Sequence, residues 1–152
     1  MSGRHLGAVL LYFVIAVLIA TALGSIVQTQ FNATAIADLG FDVVLRDRIA
    51  MTLHDLGAFT PIYGLMVGTT LMLALPVAVL AARWVGGYSL WFLAAGAVGI
   101  FVAFVVANAV LPMPTFIAAT RGIGGILSMM FSAAVGAWAF GRMLAHRRTM
   151  HA

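Results

Sequence analysis

The chain contains no cysteine, no lysine and no glutamate, and its charged residues make up only 8% of 152 positions. Without cysteine there are no disulfide bonds, thiolate metal ligands, cysteine nucleophiles or iron–sulfur clusters. Soluble domains carry about 25% charged residues, and a small soluble domain leaves much of its surface in water. The composition therefore excludes a soluble enzyme, a disordered chain and a nucleic-acid-binding protein.

The sequence is rich in long apolar stretches. Hydrophobic residues make up 64% of the chain and the mean hydropathy is +1.12. A membrane-spanning helix needs about 20 apolar residues, and four stretches qualify: 6–27, 61–82, 88–111 and 122–144. We predict an all-α polytopic membrane protein that forms a single domain over residues 1–152. The first stretch is too long for the apolar region of a signal peptide and is interpreted as a retained span.

The few charges predict the orientation. Five arginines and no acid fall on the N-terminal tail, the turn between spans two and three, and the C-terminal tail: Arg4, Arg83, Arg142, Arg147 and Arg148. All four aspartates fall in the connection between spans one and two. The positive-inside rule then places both termini in the cytoplasm. The richness in alanine and arginine indicates a bacterial genome of high GC content, and hence the inner membrane.

The connection between the first two spans is too long for a structureless loop in a compact protein. Its apolar spacing predicts an amphipathic helix over residues 42–59, either at the outer interface or as an extension of span two. Gly57 and Pro61 mark the expected bend. A separate short helix is expected over residues 33–39, capped by Asn32 or Thr34 and ended by Gly40.

Small residues recur every four positions in the spans, which favours close helix packing. The rows are Ala16, Ala20 and Gly24; Gly64 and Gly68; Ala95, Gly99, Ala103 and Ala107; and Gly124, Ser128, Ser132 and Gly136. They predict a tight bundle, and some of them could instead serve a second copy or a partner. Pro76 predicts a kink in span two at about Met72.

The polar residues that could carry chemistry gather at the outer face. We predict a binding cluster of Arg48, His54, Asp55, Arg121, Gln28 and Asn108. In one interpretation, Asp55 pairs with Arg121 or Arg48 and fixes the helix ends. In another, Arg48 and Arg121 bind an anionic headgroup or small anion. In a third, His54 and Asp55 act as catalytic acid and base. The histidine spacing fits no metal site, and no motif indicates a cofactor.

Three functions remain open from the sequence. The first is a non-catalytic subunit or scaffold of a membrane complex, whose partners are the bilayer and either another membrane protein or a second copy. The second is a small transporter or channel subunit with a path lined by Gln28, Asn108 and Ser128. The third is a lipid-acting enzyme at the outer face. A filled core with large contacts to other chains favours the first, a continuous polar path favours the second, and a ligand-sized cavity at His54 and Arg121 favours the third.

Overall fold

The structure, a computed structural model, describes residues 3–110 and 117–149. Over these ranges it is all-helical, with five α-helices and one short 3₁₀ helix, η1. Their bounds are α1 Gly3–Asp38, α2 Leu45–Ala58, α3 Thr60–Val85, α4 Tyr88–Val110, η1 Ala118–Arg121 and α5 Ile123–Thr149. Four of the described helices, α1, α3, α4 and α5, are long and apolar enough to cross a membrane. The four predicted spans are thus present as helices. The sequence predicts that Pro112 and Pro114 end the third span, because proline has no backbone N–H to donate, and both residues lie outside the described ranges.

Helix α1 is longer than expected. Its 36 residues correspond to about 54 Å of helix, whereas the hydrocarbon core of a bilayer is about 30 Å thick. The predicted break before residue 33 is wrong: Asn32 and Thr34 lie inside the helix, and the Thr34 hydroxyl donates to the Gln30 carbonyl. No glycine or proline occurs between Gly24 and Gly40. The helix ends before Gly40, whose φ of 91° suits a helix terminus.

Helix α2 is a separate helix joined to α3 through Phe59. The Phe59 N–H donates to the Asp55 carbonyl at the end of α2, and the Tyr63 N–H donates to the Phe59 carbonyl at the start of α3. Pro61 lies in the first turn of α3, where its missing N–H costs no helical hydrogen bond. At the other end of α2, the Asp47 carboxylate accepts a hydrogen bond from the Val44 N–H.

Some members of the predicted rows of small residues lie between helices of the same chain. A Cβ on Gly136 of α5 would lie 2.5 Å from the Ala16 carbonyl oxygen and 2.7 Å from the Ala20 Cβ of α1. Gly96 of α4 lies against the backbone of Ala133 in α5 so closely that a Cβ would overlap it. The closest approach of α4 to α5 therefore uses Gly96, one position after the predicted row that starts at Ala95.

The bundle has two ends that are used as references below. The α2 end carries α2 and η1. The terminal end carries the N-terminus, the turn between α3 and α4, and the end of α5, because His5, Arg83 and Leu144 line one groove there. At this turn, Gly86 and Gly87 have φ values of 76° and 67°, a region that glycine enters without steric cost. Helix α3 runs through the exposed Pro76 as a single element.

Candidate functional site

A row of buried polar side chains on α1 organises the α2 end. Thr21, Ser25 and Thr29 are spaced four residues apart and share one helix face, with Gln28 beside Thr29. Ser25 and Thr29 are both 0% exposed. A buried hydroxyl or amide needs a hydrogen-bond partner, because burying an unpaired polar group in an apolar environment costs free energy. The partners of Ser25, Thr29 and Gln28 lie on three other elements.

Two of these contacts join α1 to α3 and α2. The Ser25 and Thr60 hydroxyl oxygens lie 2.7 Å apart. The Thr29 hydroxyl lies 2.7 Å from Oδ2 of Asp55, with the Ser25 carbonyl 2.9 Å away as a second acceptor. The partner that the structure gives the half-buried Asp55 carboxylate is thus a neutral hydroxyl, where the sequence led us to expect Arg48 or Arg121.

A third contact holds η1 against α1. Gln28 is 6% exposed, and its Oε1 accepts a hydrogen bond from the Ala119 N–H at 2.8 Å. Gly125 in the first turn of α5 lies against the backbone of Ala119, so closely that a Cβ would overlap it. Both contacts fix the four-residue η1, and its last residue is Arg121. The position of Arg121 therefore depends on Gln28, which lies about 90 residues earlier in the chain.

The α2-end groove lies between the last turns of α1, helix α2 and η1. It has a volume of about 590 Å³. Its lining residues are Asn32, Ala35, Ile36, Leu39, Ala50, Met51, His54, Asp55 and Arg121. The side chains of His54 and Arg121 are exposed, and most of the other walls are apolar. Three of the six predicted binding residues, His54, Asp55 and Arg121, are thus brought into one groove from α2 and η1.

The other three predicted residues lie elsewhere. Arg48 lines a neighbouring hollow of about 200 Å³, where its guanidinium donates to Oε1 of Gln30 at 3.3 Å. Gln28 is buried beneath η1. Asn108 is exposed on α4, which contributes no residue to the α2-end groove. Arg48 therefore does not line the α2-end groove, where Arg121 lies.

The polar row on α1 stops near the middle of the helix. Its last member, Thr21, is followed toward the terminal end by Val17 and Phe13 at the same spacing. The Thr21 and Tyr63 hydroxyls are buried, and neither has a hydrogen-bond partner among the described residues. Ser128, expected in a transport path, donates its hydroxyl to the Gly124 carbonyl of its own helix. The buried polar row on α1 therefore does not extend across the bundle.

Sequence reasoning missed Thr29, although it carries the contact to Asp55. Its signal is the four-residue spacing of Thr21, Ser25 and Thr29 within an otherwise apolar span. Threonine in such a helix often satisfies its hydroxyl on the carbonyl four residues earlier, as Thr34 and Thr69 do. The sequence therefore does not distinguish a threonine whose hydroxyl bonds only within its own helix from one whose hydroxyl also bonds to another helix.

The α2-end groove presents hydrogen-bond donors from Arg121 and His54. The Arg121 guanidinium presents several N–H donors in a planar fork that matches a phosphate, and His54 adds a second side chain able to donate. None of the nine lining residues carries a hydroxyl or thiol nucleophile. Within the described ranges, no three His, Cys, Asp or Glu side chains lie close enough to hold a metal ion.

The chain matches no protein-family model, no curated protein and no solved structure. Its class therefore rests on the fold: it is a helical, multi-pass membrane protein with four candidate membrane-spanning helices.

Proposed function

We propose that this protein is a non-catalytic membrane protein that binds a phosphate-bearing amphiphile, such as a phospholipid, in the α2-end groove. The observation that carries the proposal is the convergence of Arg121, His54 and Asp55 on one groove whose remaining walls are largely apolar. With both termini cytoplasmic, as the arginine distribution predicts, the groove opens at the outer face of a bacterial inner membrane.

The lining suits a molecule with one charged and one apolar end. Arg121 and His54 provide donors for a phosphate, while Ile36, Leu39 and Met51 provide apolar walls for the adjoining chain. The volume of about 590 Å³ lies within the roughly 300–1,000 Å³ of small-molecule sites. A bilayer also supplies such amphiphiles at high local concentration, so that a modest affinity is sufficient for occupancy.

Binding is better supported than catalysis. One carboxylate oxygen of Asp55 already accepts from Thr29, and the lining holds no nucleophilic hydroxyl or thiol. His54 and Asp55 are neighbours on α2 and leave the helix about 100° apart. They therefore lack the mutual hydrogen bond by which an acid–base pair is usually recognised. The transport alternative loses support because the buried polar row on α1 stops at Thr21.

A second candidate function, a subunit of a membrane complex, is favoured by α2. None of the residues of α2 is buried, and Leu45, Ile49 and Leu53 form one stripe with exposed fractions of 73%, 53% and 66%. Such a stripe fits a partner membrane protein or a second copy. The rows of small residues favour this function less, because Gly96 and Gly136 already lie against helices of their own chain.

The test is lipid retention. The wild-type protein is purified in mild detergent and titrated with a short-chain phospholipid under native mass spectrometry, beside Arg121→Gln and Arg46→Gln. Arg46 is an exposed arginine of α2 that does not line the groove, so it controls for the loss of one charge. We expect Arg121→Gln to weaken binding about 10-fold or more, since hydrogen bonds to charged groups contribute about 1.5–3 kcal/mol.

Two results would count against the proposal. Equal lipid affinity in the wild type, Arg121→Gln and Arg46→Gln would remove the role of the groove. The subunit function would be supported instead by two observations made together. A stoichiometric protein partner is recovered with the wild type and released by Ile49→Asn, and lipid binding is unchanged in Arg121→Gln.

A further inference from the structure

A second groove lies at the terminal end, between α1, α3 and α5. It has a volume of about 740 Å³ and is almost entirely apolar. Its main apolar walls are Phe13, Leu71, Leu75, Val79, Phe140 and Leu144. The two polar residues of its lining are His5, near the start of α1, and Arg83, near the end of α3. Both polar groups are thus at the same end of the groove.

The length of this groove matches one leaflet of a bilayer. Along α3 it runs from Leu71 to Arg83, and these 12 helical steps correspond to about 18 Å. Half of the hydrocarbon core is about 15 Å. With Arg83 at the level of the headgroups, Leu71 therefore lies close to the middle of the membrane. An acyl chain that starts at Arg83 would follow the groove to its apolar end.

The polar end of this groove favours an anionic headgroup. The Arg83 side chain is exposed and carries a permanent positive charge. The Nδ1 atom of His5 is buried, and no hydrogen-bond partner for it is found among the described residues. A phosphate oxygen at this end of the groove would accept from the Arg83 guanidinium and from Nε2 of His5, since the enclosed Nδ1 is out of its reach. In contrast to the α2-end groove, which contains Asp55, the lining of this groove contains no carboxylate.

We propose that the terminal-end groove is a binding site for one anionic phospholipid, with its phosphate at Arg83 and His5 and one acyl chain along α3 as far as Leu71. This site is independent of the proposed function, because it shares no residue with the α2-end groove and faces the opposite leaflet. Any lipid fills an apolar groove in a membrane. Arg83 and His5 add a preference for a lipid with a negatively charged headgroup.

The test measures headgroup selection in the background of Arg121→Gln, so that lipid at the α2 end does not enter the measurement. Protein is incubated with equal amounts of phosphatidylglycerol and phosphatidylcholine of the same chain length, and the retained lipids are counted by native mass spectrometry. We expect phosphatidylglycerol to be preferred, and Arg83→Gln to lower the preference about fivefold, as expected for the attraction of one arginine to an anionic surface. His5→Gln should lower the preference in the same direction.

Two further variants separate the site from general effects. Arg142→Gln removes an exposed arginine of α5 that does not line the groove, and it should keep the preference for phosphatidylglycerol. Met72→Trp fills the apolar part of the groove from a position that is 68% exposed, and should lower retention of both lipids. Any of three results would overturn the proposal. The preference for phosphatidylglycerol could be the same in Arg83→Gln and its parent, or Arg142→Gln could lose as much of that preference as Arg83→Gln. The third result is that Met72→Trp retains as much lipid as its parent.

Discussion

The Thr29 hydroxyl lies 2.7 Å from Oδ2 of Asp55 and joins α1 to α2 at the base of the α2-end groove. Thr29 is completely buried, whereas Asp55 is half-buried and lines the groove. The contact therefore connects the interior of the bundle to the candidate binding surface. Together with the hydrogen bonds of Gln30 to Thr52 and Arg48, it fixes the side of α2 that faces α1, since α2 itself has no buried residue to anchor it.

Replacing Thr29 by valine keeps the shape of the side chain and removes this hydrogen bond. We expect Thr29→Val to lower the free energy of unfolding by about 1.5–3 kcal/mol, the usual contribution of a hydrogen bond to a charged group, and to weaken lipid binding at the α2 end. Thermal unfolding in detergent measures the first effect. Thr34→Val is the matched control, because the exposed Thr34 hydroxyl bonds only within α1. Equal stability of the two variants would contradict the role of the contact.

Gln28 should matter for both stability and binding. Gln28→Met leaves the buried Ala119 N–H without its acceptor, and an unsatisfied buried group costs about 1–3 kcal/mol. Because η1 carries Arg121, the same variant should also reduce phospholipid retention. Gln30→Met serves as the control, since Gln30 is half-buried and contacts α2 rather than η1. If Gln28→Met retained full lipid binding, η1 would not depend on Gln28.

Close helix packing predicts a sharp difference between two glycines. A methyl group on Gly96 would overlap the Ala133 backbone, and overpacking of this kind costs about 1–3 kcal/mol. Gly57 of α2 has open space at the same position, so that alanine there should be neutral or stabilising by up to about 1 kcal/mol through helix propensity. We therefore expect Gly96→Ala to unfold at a lower temperature than Gly57→Ala. The reverse order would show that α4 and α5 are packed differently.

The orientation can be tested directly because the chain has no cysteine. Asp47→Cys places one thiol on the exposed part of α2, and Ser89→Cys places one at the exposed start of α4. In intact bacterial cells, a membrane-impermeant maleimide should label Asp47→Cys, while Ser89→Cys should react only after permeabilisation. Labelling in the opposite order would place the termini outside and move the α2-end groove to the cytoplasmic face.

The four spans could be predicted because hydrophobic length alone defines them. The sequence also indicated that His54, Asp55 and Arg121 share one membrane level, and the structure brings all three into one groove. Their grouping follows from topology: α2 and η1 both lie at the end of the bundle where α1 finishes.

Two features could not be predicted, for different physical reasons. The polar residues after Val27 suggested that α1 ends, but Gln28, Thr29 and Ala33 are buried against the rest of the α2 end. Tertiary packing thus sustains a helix that the apolar pattern does not mark. The separation of Arg48 from Arg121 depends on the direction in which α2 faces. That direction follows from three side-chain contacts between α1 and α2, namely Thr29 with Asp55, Gln30 with Thr52 and Gln30 with Arg48, and the sequence pattern does not show them.

Photocrosslinking tests most directly whether the α2-end groove holds a phosphate-bearing amphiphile. A phospholipid with a photoreactive group near its headgroup is incorporated into vesicles with the wild-type protein, and the adducts are mapped by mass spectrometry. We expect adducts on the peptides that contain Ala35 to Leu39 and Ala50 to Asp55, and their loss in Arg121→Gln. Adducts spread evenly over the exposed face of α4, and unchanged in Arg121→Gln, would contradict binding in the α2-end groove.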